Sequence, residues 1–276
     1  MSGLTLGQDG RADEETPPLS RRSGKRSDNT RIWSRVKKHH NRNISKSWGD
    51  LVLLFCYLIT GLLDSAATQS WGCFVSMQTG NTVYFGLGLA SPHSDTRWIK
   101  AGVSLACFCL GSFFFSRFHR LFSPRRRWVL VSSSLIQLLF VTLAALIVTL
   151  AKNATGPEST TELHWQVLVP LGAVAFQSSG QAVLSRVLQH NGLTSVVLTS
   201  NYCDLFSDPR LFSAVNVERN RRVAAPVMLA LGALAGGFWA RSKAGMMGSL
   251  WTAVVLKAGI VVAWEVWKAE EEVGED

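Results

Sequence analysis

The chain has 276 residues, of which 47% are hydrophobic, and a formal net charge of +9 at pH 7. Its five cysteines are not spaced with histidine in a metal-binding pattern, which argues against a zinc site or a disulfide framework, so we predict no metal and no cofactor. Much of the positive charge lies directly before the first apolar segment. We therefore expect it to face an anionic membrane surface, and nucleic acid is not predicted as a partner.

The N-terminal segment, residues 1–46, is polar and rich in Ser, Arg, Lys, Asp and Pro. It contains no apolar run, so we expect no cleavable signal peptide there. Because so little of this segment can be buried, we predict a disordered basic tail on the cytoplasmic side of a membrane.

Apolar segments long enough to cross a bilayer follow the tail. A spanning helix needs about 20 mainly apolar residues, and six segments have or approach that length: 51–71, 101–118, 128–150, 165–185, 223–240 and 247–267. Two shorter segments, 74–90 and 193–206, are apolar but mixed with Thr, Ser, Asn and Gly. We therefore predict an all-α polytopic membrane protein with about six spanning helices in a transmembrane domain at 47–268, followed by an acidic tail at 269–276.

The distribution of basic residues indicates how the two short segments lie. If the tail is cytoplasmic and the short segments do not cross, the loops 117–127 and 186–222 are also cytoplasmic, and they are rich in arginine. If both short segments crossed, the triple arginine at 125–127 would lie outside. The positive-inside rule therefore favours discontinuous or re-entrant segments that enter the membrane and return, although six to eight crossings stay open.

The two short segments resemble each other. The first, "FVSMQTGNTVYFGL", contains Thr-Gly-Asn at 79–81, and the second, "LTSVVLTSNYCDLF", contains Thr-Ser-Asn at 199–201. Each follows a long apolar span that ends in a polar interruption. We predict an internal repeat, about 51–118 and 165–240, whose copies are inverted in the membrane, as in many transporters.

The polar tripeptides are candidate substrate-binding elements, because irregular backbone at membrane depth must be buried in protein or line a wet cavity. We assign this role to Thr79, Gly80, Asn81, Thr199 and Asn201. A threonine can cap a half-helix, glycine permits a turn, and asparagine both donates and accepts hydrogen bonds. The alternative is helix packing, in which small residues allow close approach.

Charged and amide side chains inside the spans are further candidates. Asp64 lies some way into the first span, and Lys257 lies at the centre of the last. Such charges are costly in a bilayer and normally face a partner or water, so we predict an Asp64–Lys257 pair. Gln181 belongs to a polar group in the fourth span that either lines the same cavity or bonds to neighbouring helices.

These motifs resemble those of the YoaK-like membrane proteins, a family of unknown function (DUF1275) found in bacteria and fungi. The resemblance runs from about Leu51 to Trp267 and rests on Gly61, Asp64, "FVSMQTGN", "QSSGQAVLSR" and "TSVVLTSNYCDLF". The motif "WGCFVSMQTGNT" is similar to the sequences of the fungal branch. The resemblance implies a small polytopic membrane protein and brings no established substrate. Bacterial members often have glycine where this chain has Ser200, and asparagine where it has Ala182.

The favoured function is a secondary transporter or permease for a small polar solute, with a midplane site at the broken helices. The sequence contains no GxxxxGK[ST] motif, so transport would use a gradient or a partner. An enzyme is not predicted, because Asp64 is the one carboxylate well inside a span and "QSSG" lacks the glycine of a Gly-x-Ser-Gly site. The alternative is a structural or regulatory membrane protein. The bilayer is the expected partner, a plasma membrane location is assumed, and the oligomeric state is open.

Overall fold

Long α-helices make up most of the structure, a computed structural model that describes residues 24–45, 48–92, 95–154, 163–190 and 192–270. Within these ranges the secondary structure consists of nine helices and two isolated β-bridges. The helices are α1 Gly24–Asn41, α2 Gly49–Ser70, α3 Gln78–Ala90, α4 Arg97–Leu121, α5 Arg127–Ala154, α6 Trp165–Val187, α7 Thr199–Phe206, α8 Val217–Arg241 and α9 Met246–Val266. The chain divides into two compact units, Met1–His39 and His40–Asp276, and the second contains all the apolar helices.

Six of the described helices, α2, α4, α5, α6, α8 and α9, are long and apolar enough to cross a membrane. The predicted polytopic all-α fold is thus confirmed. α3 has 13 residues and α7 has 8, so at 1.5 Å per residue they extend only about 20 and 12 Å, less than the hydrocarbon thickness of about 30 Å.

Two spanning helices begin earlier than the apolar runs predict. α4 begins at Arg97 and α8 begins at Val217, whereas the apolar runs begin at 101 and 223. The added turns carry basic side chains, including Lys100 and Arg219. An apolar run marks only the part of a helix that lies in hydrocarbon, so the helix continues into the interface beyond it.

The packing of the helices repeats between the two halves of the chain. α4 packs along α6, the first helix of the second half, and α8 packs along α2, the first helix of the first half. In the same way α5 packs on α6 and α9 packs on α2, while α3 contacts α4 and α7 contacts α8. The α5–α9 and α2–α6 contacts join equivalent helices. This is the pattern expected when two copies of a four-helix unit exchange partners.

Close backbone approach joins the halves at glycines. A methyl group added at Gly232 in α8 would overlap the Leu58 carbonyl of α2, and one at Gly61 in α2 would overlap the Leu229 carbonyl of α8. In the equivalent α4–α6 contact, a methyl group at Gly111 would overlap the Ser179 hydroxyl. Small residues let apolar helices pack tightly in lipid, where dispersion contacts replace the hydrophobic effect.

A small clasp joins both ends of the transmembrane region on one side of the bundle. It consists of residues 42–45, 125–127 and 268–270. The Ile44 N–H donates to the Arg125 carbonyl (2.9 Å), and the Ser45 N–H donates to the Lys268 carbonyl (3.1 Å). Ile44 is 2% exposed. The start of α2, the α4–α5 loop and the end of α9 therefore lie on the same side, as six crossings require.

Residues 24–45 of the tail that we predict to be disordered are among the described residues. Residues 24–41 form α1, and residues 42–45 belong to the clasp. The clasp was missed because its backbone partners lie far along the chain, at Arg125 and Lys268. Residues 1–23 and 46, and residues 271–276 of the acidic tail, lie outside the described residues.

The substitution Gly232→Ala should destabilise the protein by about 1–3 kcal/mol, because the added methyl group forces α8 away from α2. Gly259→Ala is the matched control, since nothing lies within 4 Å of a methyl group placed there; it should be neutral or slightly stabilising through helix propensity. Thermal unfolding of both variants in the same detergent measures the difference. Equal melting temperatures would contradict the close α2–α8 contact.

The substitution Ile44→Ala should lower the free energy of unfolding by about 2 kcal/mol, because it empties a fully buried position in the clasp. Val215→Ala serves as the control, since that side chain is 84% exposed. Denaturant unfolding in detergent compares the two variants. If Ile44→Ala unfolds at the same denaturant concentration as the parent protein, the clasp does not contribute to stability.

Candidate functional site

The predicted site residues lie in or beside three separate polar regions. We call residues 71–77 the α3 loop, because they connect α2 to the short helix α3. We call residues 188–198 the α7 loop, because they connect α6 to α7. The third region, the central cluster, lies where spanning helices meet and consists of Cys56, Thr60, Gln137, Gln177, Gln181 and Lys257.

Asp64 anchors the α3 loop. One carboxylate oxygen accepts hydrogen bonds from the backbone N–H groups of Val75 (2.8 Å) and Ser76 (2.9 Å). The other oxygen accepts a short hydrogen bond from the Ser76 hydroxyl. Asp64 is buried, and charge-assisted hydrogen bonds of this kind are the stronger ones in proteins. The carboxylate therefore supplies the acceptors that this irregular backbone needs at membrane depth.

Asn81 completes the anchoring of the same loop. Its side-chain oxygen accepts from the Phe74 N–H (3.0 Å), and its amide nitrogen donates to the Phe74 carbonyl (2.7 Å). The amide nitrogen also lies 3.0 Å from the hydroxyl of Ser104 in α4. A methyl group at Gly80 would lie 2.6 Å from the Phe74 ring, so glycine is needed there for the loop to pack. Gly80 and Asn81 thus hold the loop against α3 and α4.

The α3 loop folds back toward the bundle before α3 returns. The start of α3 lies beside Ser104, and a methyl group at Gly88 would overlap Trp98 near the start of α4. α3 therefore runs antiparallel to α4. Val75 and Ser76 reach Asp64, six positions before the end of α2. The segment therefore enters and returns, as the distribution of basic residues indicates.

The two threonines do not cap the short helices. Thr79 and Thr199 are both exposed, and each lies within the first turn of its helix. The residues that precede the helices, Met77 and Leu198, form no side-chain cap either. The expectation that threonine caps α3 and α7 is therefore wrong. Both threonines lie inside their helices, and the N-cap positions are occupied by Met77 and Leu198.

The α7 loop is held by different bonds. The Asn201 amide donates to the Arg222 carbonyl of α8 (2.8 Å), as Asn81 contacts α4 in the first half. The Asn201 side-chain oxygen is buried without a hydrogen-bond partner among the described residues. The hydroxyl of Tyr57 in α2 lies 3.5 Å from the Val197 carbonyl. The two asparagines thus share a place in the fold while their hydrogen bonds differ.

The predicted pair between Asp64 and Lys257 does not form. The Lys257 ammonium donates to the side-chain oxygen of Gln137 in α5 (2.6 Å). That Gln137 amide packs against Gly180 in α6, next to the Gln181 that bonds to the Cys56 carbonyl of α2. Asp64 is eight positions beyond Cys56 on α2, which is about 12 Å along the helix axis. The prediction is wrong because it used only the opposite signs of two buried charges and not their depths.

Gln137 is a functional candidate that the sequence interpretation missed. Its amide side chain lies within the apolar span of α5. It packs closely against α6, because a methyl group added at Gly180 would lie 2.7 Å from the Gln137 side-chain nitrogen. Gln137 and Lys257 are 120 positions apart, as are Asn81 and Asn201. This shared spacing marks Gln137 and Lys257 as equivalent positions of the two halves, and it was available in the sequence.

Two glutamines of α6 bring unpaired acceptors into the central cluster. The Gln181 amide nitrogen donates to the Cys56 carbonyl (3.1 Å), and the Gln177 amide nitrogen donates to the Ser178 hydroxyl (3.0 Å). Both side-chain oxygens are buried without a hydrogen-bond partner among the described residues, and so is the Thr60 hydroxyl. Buried polar atoms of this kind are costly unless something satisfies them.

The central cluster therefore contains unpaired buried polar atoms, whereas Asp64, Gly80 and Asn81 organise a loop. Of the predicted site residues, only Gln181 lies in the cluster. Lys257, predicted as a charge partner, lies there as well. Within the described residues, no group of three or more His, Cys, Asp and Glu is placed to hold a metal ion.

The substitution Asp64→Asn should destabilise the protein by about 2 kcal/mol, because an amide replaces a carboxylate that accepts from buried backbone donors. Thr79→Ala is the control, since that side chain is exposed in the same region. Thermal unfolding in detergent measures the loss of stability, and the rate of proteolysis within the α3 loop measures how well the loop is held. An Asp64→Asn protein as stable and as protected as the parent would show that the carboxylate does not hold the loop.

Comparison with known proteins gives one match. Residues 52–263 match the family model described as a protein of unknown function, DUF1275. No curated protein and no solved structure matches the chain. The matched region contains α3, α7, most of each spanning helix and all six residues of the central cluster. The chain therefore belongs to the DUF1275 family.

Proposed function

We propose that the protein is a secondary transporter for a small polar solute that passes through the central cluster. The observation that carries this proposal is the exchange of helix partners between the halves, with α5–α9 and α2–α6 as the contacts between equivalent helices. The Lys257–Gln137 hydrogen bond lies at the first contact and the Gln181–Cys56 hydrogen bond lies at the second. Inverted repeats in transporters bind substrate at this kind of interface, near the bilayer midplane.

The energetics of the cluster support this proposal over the alternative of a structural or regulatory membrane protein. A charged side chain at the bilayer centre costs about 2.5 kcal/mol or more, and unpaired buried acceptors add to that cost. A scaffold has no use for such groups, because apolar side chains would pack the same helices without the penalty. A transporter needs them to replace the water that a polar solute leaves behind.

The remaining features of the proposal come from the sequence. The absence of a GxxxxGK[ST] motif favours transport driven by a gradient, and catalysis is not part of the proposal. The basic N-terminal segment favours a cytoplasmic N-terminus, with the plasma membrane as the assumed location. The motif "WGCFVSMQTGNT" supports placement among YoaK-like proteins of the fungal branch.

Alternating access can be tested without knowing the solute, because Cys56 is a native reporter in the central cluster. It is 1% exposed. A protein that keeps Cys56 and has its other four cysteines replaced by serine or alanine is reconstituted in vesicles. A membrane-impermeant maleimide is then added to one side or the other. We expect slow labelling from each side, because each state of a transporter opens the cluster to one face.

The matched control carries its single cysteine at position 144. Ala144 in α5 is as buried as Cys56 and lies outside the central cluster, so Ala144→Cys should stay unlabelled from both sides. Labelling of Cys56 no faster than position 144 would contradict alternating access and favour the structural or regulatory alternative.

A further inference from the structure

We infer that the central cluster binds a small carboxylate that carries its own N–H or O–H donor, such as an α-amino or α-hydroxy acid. This inference rests on the proposed function and names its class of solute. It follows from two unmet needs in one place: a buried cation without an anion, and buried oxygens without donors.

The need for an anion comes from Lys257. Its ammonium group has three protons to donate, and its hydrogen bond among the described residues is the one to the Gln137 oxygen. The ion pairs formed within the described residues do not include it. Asp64 is the one buried carboxylate among the described residues, and its oxygens are engaged by Val75 and Ser76. A buried charge is costly unless it is paired, so we assign the missing anion to a bound molecule.

The need for donors comes from Gln177 and Gln181, and the chemistry of their partners decides which amide atom is unpaired. A carbonyl only accepts, so Gln181 must present its nitrogen to Cys56. The Ser178 hydroxyl gives its proton to the Val174 carbonyl (2.8 Å), so Gln177 must also present its nitrogen. Both unpaired atoms are therefore oxygens, which accept hydrogen bonds and cannot satisfy an anion.

The two needs lie close together. Lys257 donates to Gln137, and the Gln137 amide packs against Gly180, the residue before Gln181, so the cation lies near the turn of α6 that carries the unpaired Gln181 oxygen. Gln177 lies one turn from Gln181, about 6 Å along α6. α2 and α6 cross in opposite directions, so Gln177 is level with Thr60, whose hydroxyl is also unpaired. A ligand that meets both needs has its carboxylate and its donor only a few bonds apart.

This arrangement also excludes other classes of solute. A metal ion or an organic cation would meet the Lys257 charge with like charge. An apolar molecule would leave the Gln177 and Gln181 oxygens unsatisfied. A simple carboxylate would satisfy the ammonium group and not the oxygens, so it should bind more weakly than a carboxylate with a donor.

Matched probes test both halves of the inference through thermal unfolding of the purified full-length protein. Acetate supplies the anion alone, ethanolamine supplies donors alone, and glycolate and glycine supply both. A ligand that binds only the folded state raises the melting temperature according to its concentration relative to Kd. We expect no stabilisation by ethanolamine, and glycolate and glycine to bind roughly fivefold more tightly than acetate, since one hydrogen bond contributes about 1 kcal/mol. The reference melting temperature is measured in sodium chloride at equal ionic strength.

Four variants assign the effect to residues, each compared with its own ligand-free melting temperature. Lys257→Met should abolish the response to every carboxylate, while Lys257→Arg, which keeps the cation, should retain part of it. Gln181→Met should bind acetate like the parent and lose the preference for glycolate. Lys243→Met, at an exposed position outside the spans, should change nothing.

The inference is overturned if no probe stabilises the parent, if acetate and glycolate act alike, or if the response survives Lys257→Met. None of these outcomes depends on the labelling of Cys56. Labelling from both faces together with a failed probe series would retain the transporter and discard the carboxylate. Failure of both would discard the transporter as well.

Discussion

The first re-entrant segment depends on the hydrogen bonds that the backbone N–H groups of Val75 and Ser76 donate to the Asp64 carboxylate. Lipid offers no partners to peptide groups, so a chain that leaves the helical conformation at membrane depth must find them in the protein. Asp64 provides two oxygens at the level where the α3 loop turns, and Asn81 serves Phe74 in the same way. Given these anchors, α3 can return beside α4 and leave the centre of the bundle to α2 and α6.

The two halves share a plan of helix contacts and differ in their chemistry. Asn81 is saturated by hydrogen bonds, whereas the equivalent Asn201 keeps a buried unpaired oxygen. Gln137 and Lys257 occupy equivalent positions, one neutral and one cationic, and they bond to each other. Duplication explains why these residues meet, because a contact between equivalent helices brings equivalent positions together. Divergence then leaves a single charge at that contact.

The polar groups of the bundle consequently divide between two tasks. Those at the α3 loop are mutually satisfied and organise irregular backbone. Those of the central cluster are partly unsatisfied, with a cation bonded to Gln137 and unpaired acceptors on Gln177 and Gln181. Unpaired polar groups in a low-dielectric interior are costly, and this cost underlies both the proposed transport and the proposed carboxylate. The clasp at Ile44 holds the start of α5 and the end of α9 near one another.

The sequence by itself determined the six spanning helices, the two short segments and the internal repeat, because each depends on local length, composition and a recurring tripeptide. It also marked Asp64, Asn81, Gln181 and Lys257 as polar groups in an apolar region. Only the tertiary structure decided their partners. Asp64 bonds to a loop 11 and 12 positions away, and Lys257 bonds to Gln137, 120 positions away. Composition reveals that a buried charge needs a partner, but the depth and rotation of packed helices select which one lies within reach.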